Sequence, residues 1–231
     1  METPLYAQPG FRQVAGDAWR PGGLSVTRRG LALCAFPAGA RLLDIGCGAG
    51  ATLRLLRALG YRAVGCDRQP DTAAAGLPLL CCTAAALPLR SGVLDGLLCE
   101  CVLSLLPDGE TALREMARVL RPAGRLLLSD LFLAEGAQSS MPGPASPSCL
   151  RGARRLSDLR RLFRQAGLHL LHSEDHSARL HALAARLLWN GGTQANLAAL
   201  AGMSRSCAPR RHGYGLWILE KPLEGKGEPL S

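Results

Sequence analysis

The stretch Leu42-Leu43-Asp44-Ile45-Gly46-Cys47-Gly48-Ala49-Gly50 constrains what this chain can fold into more than any other. An apolar run from Arg41 to Ile45 enters a turn in which every second residue is glycine. Leu53, Leu55, Leu56 and Leu59 then recur at helical spacing. The pattern predicts a buried strand, a glycine turn and a helix opening at Ala51 or Thr52. Glycines allow positive φ and close approach of backbone to a ligand, and a helix N-terminus presents unpaired N–H groups. Such a unit suits a nucleotide-like ligand. The order is D-x-G-x-G-x-G rather than G-x-G-x-x-G, and no P-loop Lys-Ser/Thr follows. Asp44, just ahead of the first glycine, favours a cationic or hydroxylated group near the turn over a pyrophosphate.

The rest of the chain repeats the alternation. Strands are expected at Arg62–Cys66, Leu77–Cys82, Val93–Cys101 and Arg125–Phe132, with a helix at Glu110–Leu120 stopped by Pro122-Ala123-Gly124. Further on come a helix at Leu156–Ala166 closed by Gly167, a strand at Leu168–His172, a helix at Ala178–Trp189 and a last strand at Tyr214–Glu220. Strands alternating with helices imply a doubly wound α/β fold with a mostly parallel sheet covered on both faces. The organisation expected is an N-terminal arm and helix over 1–38, a ligand-binding core over 39–133 and a lid loop over 134–150. The same fold then continues over 151–222, before a disordered tail over 223–231. The lid reading rests on Ala137 to Ser148, rich in Ser and Pro.

Composition narrows the function. The net charge is +9, but 25 of the 27 basic residues are Arg scattered in short pairs, and aromatics make up 4%. A stacking surface for nucleic acid is therefore not expected. No run of 18 uncharged apolar residues suggests a membrane span, and Glu2, Pro4 and Pro9 do not make a secretory leader. The odd count of 9 Cys, with no C-x-x-C, argues against a disulfide framework or a metal site. The expectation is a cytoplasmic protein with reduced thiols. Its partner would be a small molecule, and the sequence does not give an oligomeric state.

Asp67 ends the second strand 21 residues after Gly46, where an acid can accept hydrogen bonds from both ribose hydroxyls of a nucleoside cofactor. Taken with it, the glycine turn, Leu87-Pro88-Leu89 ahead of Asp95-Gly96-Leu97, and the block Arg118-Val119-Leu120-Arg121-Pro122-Ala123-Gly124-Arg125 resemble class I S-adenosylmethionine-dependent methyltransferases. The likeness spans about Gly39 to Phe132. It implies a Rossmann-like methyltransferase fold with a seven-stranded sheet and S-adenosyl-L-methionine as cofactor. It also implies a binding set of Asp44, Gly46, Cys47, Gly48, Gly50, Asp67, Arg68, Thr83, Ala84 and Glu100. Thr83 stands where many small-molecule members carry an adenine-binding Asp. It either contacts adenine or caps local backbone.

The cysteines carry the substrate reading. Cys99-Glu100-Cys101-Val102-Leu103-Ser104-Leu105 lies at the carboxyl end of the fourth strand, where open parallel sheets bind ligands. The segment resembles the Asn-Cys-Val-x-Asn-Leu stretch of arsenite methyltransferases. Cys149-Leu150-Arg151-Gly152-Ala153 resembles that group's Cys-x-x-Gly-Ala, and Cys207 precedes the last strand as its C-terminal Cys does. The resemblance implies that Cys101, Cys149 and Cys207 are candidate substrate thiolates, with trivalent arsenic as the methyl acceptor. Neighbouring arginines, Arg151, Arg154 and Arg155 and then Arg205, Arg210 and Arg211, are expected to lower the pKa of Cys149 and Cys207. No counterpart to the group's early Cys is present. Cys34, Cys47, Cys66, Cys81 and Cys82 read as core fillers.

Two further candidates come from the flanks. The block Trp19 to Arg29, with Gly22-Gly23 and a helix capped by Ser25, either folds over the cofactor or serves as a packing arm. Glu174-Asp175-His176 offers an acid or base, and an acidic or His base near Glu100 and His176 would serve a rival reading, methylation at carbon or oxygen of a quinone or natural product. A second rival is a protein that binds the cofactor without turnover.

Overall fold

The computed structural model describes residues 9–136, 149–189 and 212–223. Residues within 41–133, 154–175 and 212–220 contribute to one mixed sheet. Its strands are β1 (Arg41–Ile45), β2 (Arg62–Asp67), β3 (Leu79–Cys81), β4 (Leu94–Glu100), β5 (Leu120–Leu133), β6 (Arg154–Arg155), β7 (His169–Asp175) and β8 (His212–Glu220). The order is β3-β2-β1-β4-β5-β8-β7, with two-residue β6 pairing beside β5. The seven-stranded sheet expected from the resemblance is thus present, with one short strand added. β1 to β5 run parallel, while β8 enters antiparallel between β5 and β7.

Alternation along the strands divides the core in two. Leu43 and Ile45 of β1, Leu97 and Cys99 of β4, and Trp217 and Leu219 of β8 face α4 (Gly109–Val119) and α6 (Leu156–Gln165). Leu42, Leu98, Leu127, Leu216 and Ile218 face the other way. They pack with α2 (Gly23–Cys34), α3 (Ala51–Ala58) and Leu180 of α7 (Ser177–Trp189). Successive side chains of a strand point to opposite faces, so strands with near-continuous apolar runs must be covered twice. That makes the fold doubly wound.

Most element boundaries lie within a few residues of the sequence reading. The differences have local causes. Asp108, not Glu110, begins α4, because its carboxylate accepts the Thr111 N–H at 2.9 Å. The Pro122-Ala123-Gly124 stop is a bulge inside β5 rather than a gap before it. Leu120 pairs with Leu94, register is lost, and pairing resumes at Gly96 and Arg125. Ser25 does not cap α2. Gly22, at φ 74°, occupies that position, and the Ser25 hydroxyl donates back to the Gly22 carbonyl at 2.6 Å. A further helix not foreseen, α1 (Pro9–Ala15), lies ahead of α2 and packs on α7 through Phe11, Leu183 and Leu187. Of the expected lid, residues 137–148 lie outside the described residues, as does 224–231 of the expected tail. Among the described residues no helix is long and apolar enough to cross a membrane.

Candidate active site

The carboxyl ends of β1, β2 and β4 open into a cleft of about 580 Å³. Parallel order creates it. Every one of these strands delivers its C-terminal loop to the same edge, and β1 sits centrally between β2 and β4. The walls are completed by the N-terminal arm and by Leu180, Leu183, Ala184 and Leu187 of α7.

The glycine turn is built around hydrogen bonds that only a close-running backbone can make. The N–H groups of Gly46 and Cys47 both donate to the Cys66 carbonyl, at 2.7 and 3.2 Å, which ties the turn to β2. Gly46 has φ 68°, and a Cβ there would stand 2.4 Å from Cγ2 of Val102, the residue after Cys101. Glycine is therefore required twice over, by conformation and by space. The Asp67 carboxylate is held in place before any ligand arrives. Its Oδ2 accepts the Gly48 N–H at 3.0 Å and its Oδ1 accepts the Gln69 N–H at 3.0 Å. Asp67 also lines the cleft, and a carboxylate with two accepted bonds has further acceptor capacity, as a ribose diol needs.

Asp44, Gly46, Cys47, Gly48, Asp67, Arg68, Thr83, Ala84 and Glu100 of the expected set all line the cleft. Gly50 does not. It caps α3 at φ 77°, and a Cβ there would meet Leu77 at 2.4 Å, so its role is to start the helix. The Thr83 carbonyl accepts the Ala86 N–H at 3.1 Å, and the residue also faces the cleft.

The sequence reading missed Arg20. This guanidinium is buried beneath the arm. Its Nη2 donates to Glu100 Oε2 at 2.7 Å, Thr52 Oγ1 at 2.8 Å and Thr27 Oγ1 at 2.6 Å. Thr27 and Thr52 in turn donate to Glu100, at 3.0 and 3.2 Å. Arm, α2, α3 and β4 are thereby joined at one charge pair. Outside it, Arg12 lies over the Trp19 ring at 3.7 Å and pairs with Asp71 at 2.8 Å. Trp19 in turn lies over Gly48. The arm therefore does cover the glycine turn. No local pattern marks Arg20 in the sequence, because its partners lie on three other segments.

Two buried polar atoms beside this network have no hydrogen-bond partner among the described residues: Oδ2 of Asp44 and Nε of Arg20. Burial, then the nearby Glu100 charge, pushes the Asp44 carboxyl up to about 8 despite Arg20. An unsatisfied acceptor and an unsatisfied donor in one buried wall are the complement of an ammonium and a carboxylate on one small molecule.

The other end of the cleft is sulfur-rich. Cys101, at φ 56°, follows β4, and its N–H donates to the Ser129 carbonyl at 2.7 Å. Its thiol donates to the Tyr214 hydroxyl at 3.7 Å, which donates to Ser129 Oγ at 2.9 Å. Cys149 opens the short helix α5 (Cys149–Gly152) and lines the same cleft. The expected thiolate activation by arginines is overturned for Cys149. Burial and then the Asp130 charge push its thiol up to about 12, and burial, Asp130 and Cys149 raise Cys101. Cys207 lies outside the described residues. Of the expected core fillers, Cys34, Cys47 and Cys66 are buried, but Cys81 is exposed and Cys82 half-buried.

The acid–base candidates are elsewhere. Glu174 binds His172 and His176, each at 2.9 Å, and Arg29 at 3.0 Å, pinning α2 to β7. None of these four residues lines the cleft. Among the described residues no cluster of His, Cys, Asp or Glu is arranged to hold a metal ion.

With this geometry in view, the comparisons with known proteins are informative. Residues 43–128 match the family described as "Methyltransferase domain". The chain is 32% identical over 111 residues to O-methyltransferase rstn1 of Aspergillus nomiae, covering 42% of this chain and 49% of that one. It is 32% identical over 108 residues to an arsenite methyltransferase of Aquipseudomonas alcaligenes, covering 45% and 31%. It is 30% identical over 106 residues to a ubiquinone biosynthesis O-methyltransferase of Xanthomonas axonopodis pv. citri, covering 41% and 44%. The chain thus spans half or less of the length of these curated relatives. Among solved structures, SpnF, titled a cyclase, superposes with TM-score 0.72 at 22% identity over 93% of both chains. Phosphoethanolamine N-methyltransferase 2 of Haemonchus contortus, in complex with S-adenosyl-L-methionine, gives 0.70 at 18% identity over 93% of this chain and 56% of that one.

These likenesses establish a Rossmann-like methyltransferase fold, and residues 43–128 carry the match to the methyltransferase-domain model. The cofactor they support is S-adenosyl-L-methionine. The relatives act on different acceptors by name, so the acceptor is not settled by likeness.

Proposed function

We propose that this protein transfers a methyl group from S-adenosyl-L-methionine to a small soft nucleophile, an arsenite-like metalloid or a thiol. The observation that supports this reading is the placement of Cys101 and Cys149 on the wall of the cleft that carries the cofactor set. Asp67 would hold the ribose, and the unpartnered Asp44 and Arg20 atoms suit the ammonium and carboxylate of the methionine tail. The bound cofactor supplies an electrophilic methyl on sulfur. Protein groups then have to align a lone pair with it and exclude water. An arsenic(III) lone pair carries no proton and needs no base, which fits the position of His176 and Glu174 outside the cleft; a thiol acceptor would give its S–H proton to solvent as the S–C bond forms.

The raised thiols suit capture of a metalloid hydroxide. Each neutral S–H that replaces an As–OH forms one As–S bond and releases one water, so no thiolate need pre-exist. Glu100, which the carbon or oxygen reading would use as base, is already tied to Arg20.

The test is product analysis by mass spectrometry on arsenite, selenite, tellurite, small thiols and a quinol panel. Methylated arsenic or sulfur from the parent protein, lost in Cys101→Ser and Cys149→Ser, is the expected result. Methylated quinol with both variants fully active would refute the soft-acceptor reading. Cofactor binding with no product on any substrate would point to a binding protein instead.

A further inference from the structure

The charges around Asp44 do not balance. Glu100 faces it from β4 and Asp67 from β2, with the thiol of Cys47, kept neutral by burial, on the turn; Cys99 of β4 lies on the opposite face of the sheet. Against these stands the Arg20 guanidinium of the arm, whose Nη2 is already spent on Glu100, Thr27 and Thr52. On the α3 side the Leu53 N–H favours the ionised form. Asp44 itself is 3% exposed, with Oδ2 lacking a partner among the described residues. An ionised carboxylate in that position would be a buried charge lacking its own counter-ion, beside two other acids. Such a group takes up a proton and stays neutral.

We propose that Asp44 is a proton store for ligand entry: protonated in the empty cleft, it releases one proton when an ammonium-bearing cofactor docks against Oδ2. The proposal rests on the S-adenosylmethionine reading above and deepens it, because the ammonium of the methionine tail is the cation that completes the charge balance. The step is a simple exchange. The carboxyl O–H breaks, its proton passes to solvent, and the carboxylate so formed accepts the ammonium N–H. S-adenosylhomocysteine carries the same ammonium and should release the proton as well. 5′-Methylthioadenosine, which keeps the nucleoside and thioether but lacks the amino-acid tail, should not.

The consequence is a pH-dependent affinity. With the empty-site carboxyl at about 8, S-adenosylhomocysteine should bind about tenfold tighter per pH unit as pH rises from 6 towards 8, then level off.

Calorimetric titration of the full chain at pH 7 in two buffers of different ionisation enthalpy tests this directly. Expected are release of about one proton per S-adenosylhomocysteine, none with 5′-methylthioadenosine, and a buffer-independent heat for S-adenosylhomocysteine with Asp44→Asn. Binding of S-adenosylhomocysteine by the parent protein with a buffer-independent heat and a flat pH profile overturns the proton store while leaving the cofactor assignment intact. Failure of both nucleosides to bind overturns the cofactor assignment, and this proposal with it. Should Asp44→Asn not fold, the pH profile of the parent protein decides alone.

Discussion

The two ends of the cleft are held by different physics. At the cofactor end, Asp67 is oriented by backbone N–H groups and Glu100 by a guanidinium and two hydroxyls, so every charge has a fixed neighbour except Asp44. At the sulfur-rich end, Cys101 and Cys149 are neutral thiols raised by burial, and Cys101 is backed by Tyr214 and, through it, Ser129. The first end is a charged, preorganised mould for one ligand. The second is a polarisable wall, the feature on which the proposed soft acceptor rests.

The comparison can be broken most severely at Arg20. Arg20→Met removes one partner of a buried ion pair and strands Glu100 beside Asp44, with an expected loss of about 3–5 kcal/mol in urea unfolding. A loss below about 1 kcal/mol would show that the arm does not hold the cofactor end together. Asp67→Ala comes next. It should weaken S-adenosylhomocysteine binding by on the order of 100-fold in calorimetry, through lost charge-assisted hydrogen bonds. Unchanged affinity would remove Asp67 from the site.

Gly46→Ala touches both ends at once, because the new Cβ would press on Val102 beside Cys101. Positive φ and the clash together should cost about 1–3 kcal/mol and lower cofactor affinity and turnover in parallel. A turnover loss with intact affinity would place the strain at the sulfur-rich end alone. Cys149→Ser should move stability by less than about 1 kcal/mol and leave cofactor affinity as it is, while product formation on the soft acceptor disappears. The smallest effect lies far from both ends. Arg29, His172 and His176 hold Glu174 down at about 2 from an ordinary value of 4.5. A depressed folded-state value stabilises the fold above pH 4.5, and that contribution is lost as pH falls towards 2. Glu174→Gln should flatten this part of an acid-unfolding curve without altering cofactor binding.

Legibility followed range in sequence. The β1–turn–α3 unit is written in consecutive residues, so its glycines, Asp44 and the helix start are readable from spacing alone. Asp67 was readable because β2 follows at the fixed distance that a parallel crossover imposes. Gly50 belongs to the same motif, yet its conformation serves the helix cap. Arg20 was not legible at all. Its function is created by Glu100, 80 residues away, and by hydroxyls on α2 and α3. The thiol pKa values ran opposite to the reading because charge along the sequence is not charge in space. The arginines near Cys149 are not what its sulfur meets, whereas Asp130 and burial are.

By itself, the sequence determined a doubly wound sheet, a glycine-turn site at its carboxyl edge and a nucleoside cofactor, because periodicity and positive-φ glycines are local demands. The tertiary structure alone decided that β8 runs antiparallel between β5 and β7 and that the N-terminal arm covers the glycine turn. It also decided that the Cys101 and Cys149 thiols are neutral and that Asp44 Oδ2 is left without a partner among the described residues. Those properties depend on desolvation and on pairs of groups from distant segments, and a linear chain specifies neither until it is packed.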